Sequence, residues 1–260
     1  MARTDTLPHF LTDVADAIRT KTGDSSPIQA SNFDTAIENI PSGGGADLDD
    51  YFKTTLSQTS TQTPDNIIKK FPDLVIDDNE TMLSSLFQGW SLEKAPKIIS
   101  NNNITSLYRA YRTASYLKSI DMSRVNIDNV TNFQDTFYGC IRLTSITFGN
   151  SLTGQKIKQM NQTFNGCQAL TTLDLSNFNT LALTNTNSMF KGCTSLAHID
   201  MRNMTFANVA NYTDMFGATA SNGVPDDCLI IVKDNTEKTW ITSKFSRLTN
   251  VKTVAELEAE

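Results

Sequence analysis

Cys140, Cys167 and Cys193 are the side chains whose type and spacing most invite chemistry. A thiol can ligate a metal, pair in a disulfide or act as a nucleophile, and each role demands its own geometry. Zinc ligands come in close C-x-x-C pairs converging on a point, whereas steps of 27 and 26 residues spread these thiols along a line. The spacing predicts small buried residues under a turn, with no metal and no cofactor. Disulfides between neighbours need a matching Cα geometry, and folding in a reducing compartment disfavours them. The two histidines, His9 and His198, lack any nucleophile, base and orienter arrangement, so no catalytic residue is assigned and no enzymatic role is expected.

A second set of polar residues recurs with the same step. Asp121, Thr147, Asp174 and Asp200 form one column, and Ser119, Ser145, Thr172 and His198 form another. On parallel strands about 4.8 Å apart, these hydroxyls and carboxylates offer a platform for sugar hydroxyls or a protein partner. The alternative is an ordinary solvated strand face. Aligned carboxylates also invite a cation, yet nothing fixes the ligand number that calcium wants. Tyr138 sits where the repeat otherwise carries Asn165 and Lys191, so it is expected to point outward, either stacking on a sugar or idle. Tyr108, Tyr212 and Trp240 are further aromatic candidates.

The elements that position these residues come from a repeat. Phe137-Tyr-Gly-Cys140, Phe164-Asn-Gly-Cys167, Phe190-Lys-Gly-Cys193 and the decayed Phe216-Gly-Ala218 recur at steps of 27, 26 and 26 residues. Units of that size cannot bury an apolar face alone and must stack as a solenoid. Each Cys is followed by an L-x-x-L-x-L phrase whose last two apolar members alternate as in a strand: Leu143/Ile146/Phe148, Leu170/Leu173/Leu175 and Leu196/Ile199/Met201. The Phe-x-Gly-Cys run reads as the end of a short helix with a left-handed glycine exit. Central strand positions fall at Phe71, Ala95, Ile120, Ile146, Leu173 and Ile199, and Cys228 to Val232 supplies a further strand. Five residues before each Phe stands an amide, at Asn132, Gln159, Asn185 and Asn211, suited to holding turn backbone from unit to unit. After residue 232 the pattern changes to a helix over 235–245 anchored by Trp240, Ile241 and Phe245, then a strand and tail over 251–257, together forming a cap.

Two amphipathic helices are expected ahead of the repeats. Leu11, Val14, Ala15 and Ile18 form one stripe, and Phe33, Ala36, Ile37 and Ile40 another. So little core needs a partner, and Leu11, Val14, Ile18, Phe33, Ile37 and Ile40 are the expected assembly residues. The division is thus a helical docking and oligomerisation leader over 1–41, a Gly-rich linker over 42–45, the repeat region with its N-terminal cap over 46–232, and a C-terminal cap over 233–260. A net charge of −6 without a Lys/Arg cluster argues against nucleic acid, and no apolar run has the length for membrane insertion.

The phrase Met189-Phe-Lys-Gly-Cys193-Thr-Ser-Leu196-Ala-His-Ile199-Asp-Met201, with Cys167 to Phe178 before it, resembles the BspA-type leucine-rich repeats of bacterial surface proteins and phages. The resemblance covers roughly 65–232. It implies an α/β repeat fold: a right-handed, leucine-rich-repeat-like solenoid with one parallel β-sheet and short helices, in a binding or structural role. Residues 9–40 are similar to the helical leader of tail and baseplate proteins of phages infecting Gram-positive bacteria. Together the resemblances imply a phage tail or baseplate structural protein, an upper fibre or receptor-binding component, that docks by its N-terminus and presents the solenoid to protein or host cell-wall glycan. A homotrimer touching other tail proteins and a host cell-surface glycan or protein is the expected assembly. Asp5, His9, Asp13 and Asp16 interrupt any signal-peptide core, so the expectation is synthesis in the host cytoplasm and localisation in the virion. The alternatives are a bacterial surface adhesin of the same repeat family and a purely architectural virion spacer.

Overall fold

The computed structural model describes residues 5–6, 74–75, 81–90, 95, 97–100, 104–149 and 154–259; the expected leader helices and linker lie outside them. The described residues form an α/β fold of parallel sheets with few short helices. Strands β1 (Asp5–Thr6), β2 (Leu74–Val75) and β3 (Ile98–Ile99) make one sheet, and β4 (Ser119–Met122) and β5 (Ser145–Phe148) a second. The third contains β6 (Thr172–Asp174), β7 (His198–Asp200), β8 (Leu229–Val232) and β9 (Val251–Thr253). Helix α1 (Asn235–Lys244) connects β8 to β9, and α2 (Val254–Glu258) follows. The pairing sets each repeat position on its counterpart: Ile120 on Ile146, Leu173 on Ile199, Ile199 on Ile230. These apolar rows, buried except for the half-buried Ile146, fix the register, because a slip of one residue would turn them to solvent.

Three expectations need correction. The single sheet is divided into three, and the interruption between β5 and β6 falls at the 27-residue step from Ile146 to Leu173, where the extra residue must be taken up. The strand expected around Ala95 begins at Ile98, because Pro96 has no N–H to give a ladder. The short helices expected before Phe-x-Gly-Cys are absent: residues 133–140 form a run of tight turns.

Backbone hydrogen bonding explains the last correction. The N–H groups of Phe133, Asp135, Phe137 and Gly139 donate to the carbonyls of Gln159, Asn161, Thr163 and Asn165 in the next unit at 2.7–3.1 Å. Between them, the N–H groups of Thr136, Tyr138 and Cys140 donate three residues back. The same alternation recurs from Leu83 to Gly192. A helix would use its N–H groups internally and leave none to couple units. The alternation requires left-handed backbone at Ser85, Arg109, Asp135, Gln162, Ser188 and Asp214, all with φ between 52° and 59°.

Side chains fill this turn ladder in columns. Phe87, Tyr111, Phe137, Phe164, Phe190 and Phe216 stack ring on ring with centroids 5.2–5.6 Å apart, all buried. Such aromatic pairs add about 0.5–1.5 kcal/mol each beyond their area. The three repeat cysteines are buried free thiols whose Sγ–H groups donate to the carbonyls of Tyr111, Phe137 and Phe164 at 3.0–3.2 Å. The amide column works more locally than expected: Asn132 and Asn185 each accept from the N–H two residues on in their own unit, and the link between units is side chain to side chain, Asn185 Nδ2 donating to Gln159 Oε1 at 3.0 Å. Gly192 has φ +78°, and a Cβ there would come within 3.1 Å of Gly166, so close approach and left-handed backbone both require glycine.

The last ring of the column meets the C-terminal segment. Phe245 packs edge-on against Phe216 at 5.0 Å, and Trp240 stacks on Phe206 at 4.9 Å. Buried Glu237 of α1 accepts from Thr205 Oγ1 at 2.8 Å and from the Phe206 N–H at 3.1 Å, two neutral donors that hold its carboxylate against the preceding unit. Where a strand and tail were expected over 251–257, only Val251–Thr253 is strand. Thr253 and Glu256 form a capping box that starts α2.

Two outcomes are expected. Burial pushes the Cys140 and Cys193 thiols up to about 12 and Cys167 well above its ordinary value. A folded state that holds these protons more tightly is fully stabilised below an unfolded thiol's pKa of about 8.5 and loses roughly 1.4 kcal/mol per pH unit per thiol above it. Denaturant midpoints should therefore fall between about pH 9 and 11, and the fall should be shallower when Cys140, Cys167 and Cys193 are all replaced by Ala, the residue already present at Ala114 in the same column. Equal slopes would contradict this. Separately, Gly192→Ala should lower the melting temperature clearly more than Gly89→Ala, where φ is +74° but nothing lies within 4 Å of the added Cβ.

Candidate functional site

The strand face brings its polar columns into register. Ser119 lies beside Ser145 and Asp121 beside Thr147; Thr172 lies beside His198 and Asp174 beside Asp200. The aspartates are nevertheless engaged locally. Asp121 Oδ1 accepts from the Ser123 N–H at 2.9 Å, and its other oxygen meets Lys97 Nζ at 2.8 Å. Burial alone would raise that carboxyl, but the hydrogen bonds from Lys97 and Ser123 outweigh it and hold the pKa below the usual carboxylate value. Asp174 Oδ1 accepts from the Ser176 N–H at 2.8 Å, and Asp200 Oδ1 from the Arg202 N–H at 3.1 Å. Asp200 is buried beneath the Arg202 guanidinium, whose own pKa rises chiefly through that hydrogen bond. Each column aspartate therefore closes the turn after its strand. Residues 119, 145, 147 and 172 keep simple hydroxyls on this face, beside His198 Nε2, which is buried without a hydrogen-bond partner.

Tyr138 lies elsewhere. It belongs to the turn ladder, where the Arg112 guanidinium sits 4.7 Å over its ring. One position down the ladder, Arg109 stacks on Tyr108 at 4.6 Å. The two guanidiniums converge on one carboxylate: Arg109 Nε is 3.3 Å and Arg112 Nε 3.6 Å from Asp135 Oδ2. Asp135 is only 4 % exposed and its N–H donates to the carbonyl of Asn161, itself buried, at 3.1 Å. Asp135 Oδ1, Asn161 Oδ1 and Arg112 Nε are buried without a hydrogen-bond partner. The remaining aromatic candidates, Tyr212 and Trp240, pack against each other in the C-terminal segment under Lys244.

Of the residues singled out in the sequence, Tyr138 and Tyr108 join this cluster, each under an arginine; Arg109, Arg112, Asp135 and Asn161 were missed. Arg109 and Asp135 stand 26 residues apart, one repeat, with opposite charge, and that spacing was the signal available. It carries weight only once both are known to occupy the left-handed column. Among the described residues, no group of three or more His, Cys, Asp and Glu is placed to hold a metal ion, and no helix is long and apolar enough to cross a membrane.

Comparison of the whole chain with curated proteins and with solved structures found no match. Over residues 105–226, just under half of the chain, it is similar to the family described as Mycoplasma protein of unknown function, DUF285, a match consistent with a BspA-type repeat protein.

Proposed function

We propose that the chain is a structural component of a phage tail or baseplate that docks through its N-terminal leader and presents a right-handed, leucine-rich-repeat-like solenoid as a binding surface. The observation that carries the reading is the joining of the two sequence segments: a leader over 9–40 like those of tail proteins, then repeats coupled unit to unit along the backbone. Coupled units with in-register polar columns suit the display of many weak contacts, a binding role rather than catalysis. The leader stripes of Leu11, Val14 and Ile18 and of Phe33, Ile37 and Ile40 are the proposed assembly contacts, in a homotrimer that also touches other tail proteins. The solenoid's partner is a host cell-surface protein or glycan. A second reading, a bacterial surface adhesin, is supported by the similarity to a Mycoplasma family.

Light scattering on the full chain should give three times the 28.7 kDa chain mass, and Leu11→Asp with Ile37→Asp should give the monomer. A monomeric parent chain contradicts the trimer. Antibodies raised against the repeats should label particle tails; labelling of intact cell surfaces without particles would move the assignment to the adhesin.

A further inference from the structure

We infer that the exposed corner formed by Tyr116, Ile141 and Arg142 is a docking surface for an acidic segment of the same chain, Asp47-Leu-Asp49-Asp50-Tyr51-Phe52. The inference goes beyond the proposed function and holds for a tail protein and an adhesin alike.

The corner lies where the turn ladder passes into the strand of each unit. Tyr116 and Ile141, from adjacent units, are 47 % and 42 % exposed, two of the four exposed large hydrophobic residues among those described. Later units place Gln168-Ala169 and Thr194-Ser195 at the same corner. The Arg142 guanidinium lies 4.9 Å over the Tyr116 ring, which holds its charge beside this apolar surface. Arg142 is exposed and has no carboxylate partner among the described residues, whereas Arg202 meets Asp200 and Arg247 meets Asp226. Over residues 104–120 and 133–145, Arg109, Arg112, Lys118 and Arg142 stand against one carboxylate, Asp135. The matching stretches 160–172 and 186–198 hold Lys191 as their only Lys, Arg, Asp or Glu. In a chain of net charge −6, a positive corner built from Arg, Tyr and an exposed aliphatic side chain has the composition of an interaction hot spot for an acidic partner.

Charge and apolar character together select the occupant. A carboxylate fits the fork of Arg142, and an apolar side chain next to it covers Ile141. Asp47, Asp49 and Asp50 supply the carboxylates, and Leu48, Tyr51 and Phe52 the apolar groups, within six positions. This segment lies outside the described residues, 22 positions before β2 begins at Leu74. A chain of that length spans up to about 70 Å, well beyond the roughly 15 Å of three strand spacings that separate β2 from β5. Tethering raises the local concentration of the segment, so weak surface pairs suffice. Other acidic runs fit less well. Asp77, Asp78 and Glu80 fall between strand and ladder, whereas the corner falls between ladder and strand, and Glu256 is already held by Lys238 and the Thr253 N–H. Lys244 also lies over aromatic rings, Tyr212 and Trp240, but both are half-buried and offer no exposed apolar neighbour.

The test puts the photoreactive residue benzoylphenylalanine in place of Tyr51 in the full chain and maps its crosslinks at low salt by mass spectrometry. Crosslinks to Tyr116, Ile141 or Arg142 are expected, in a product of single-chain mass. Arg142→Glu should cut their yield roughly tenfold, because it turns attraction into repulsion, and added salt should weaken them in the parent chain. Combining Arg142→Glu with Asp49→Arg and Asp50→Arg should restore them, which a merely damaged fold would not allow. Lys244→Glu should leave them unchanged. The inference is overturned if no crosslink forms, if crosslinks map elsewhere, if Arg142→Glu leaves them unchanged or if the charge exchange fails to restore them. Crosslinks that join two chains also overturn it and make the corner a contact between copies.

Discussion

Every second N–H in the turn ladder points out of its own unit and into the next, and the rest of the structure follows from that direction. Because Phe133, Asp135, Phe137 and Gly139 all donate forward, a unit cannot satisfy its own backbone and has no meaning alone. The spacing this imposes brings the rings of the phenylalanine column within 5.2–5.6 Å and the glycines Gly166 and Gly192 nearly into contact. The thiols are held in the same way, each donating to the preceding unit's aromatic residue. Local turn bonds supply the other half of the pattern, so the backbone is satisfied without helices and with only two to four residues of strand in each unit.

The constraint also decides where binding chemistry can reside. On the strand face, position 121 and its counterparts must turn the chain, and their carboxylates are taken up by the N–H two residues on or by Lys97 and Arg202. The left-handed column of the ladder demands a backbone conformation yet leaves its side chains free to differ: Ser85, Arg109, Asp135, Gln162, Ser188 and Asp214. Their divergence at a fixed spacing puts Arg109 against Asp135 and leaves oxygens unpaired at Asp135 and Asn161. The buried columns specify the fold, and the variable column between them carries the polar chemistry.

Much of this was legible in the sequence. The Phe, Cys and L-x-x-L-x-L phrases announced the period, the strand register, the buried thiols and the amide column, because each of these depends on one residue type repeated at one spacing. The turn ladder was not legible, since Phe-x-Gly-Cys with its left-handed glycine exit is also how a short helix ends. What separates the two is a second left-handed residue four positions earlier, such as Asp135 before Gly139, occupied by a different residue type in successive units. The cluster around Asp135 was missed for the same reason: without the ladder, nothing joins Arg112 to Tyr138 or Asn161 to Asp135. The split of the sheet at the 27-residue step shows in turn that a one-residue change of period, visible in the sequence, alters pairing while the turn ladder runs on unbroken.

Native-state hydrogen exchange of the Phe137, Phe164 and Phe190 amides tests the forward ladder most directly, comparing the parent chain with Phe164→Ala. If units are coupled through these bonds, the three amides exchange through a shared opening, and the substitution accelerates all three by similar factors. Acceleration confined to residue 164, with the amides of the neighbouring units unchanged, would mean that each unit holds its own backbone and would contradict the account.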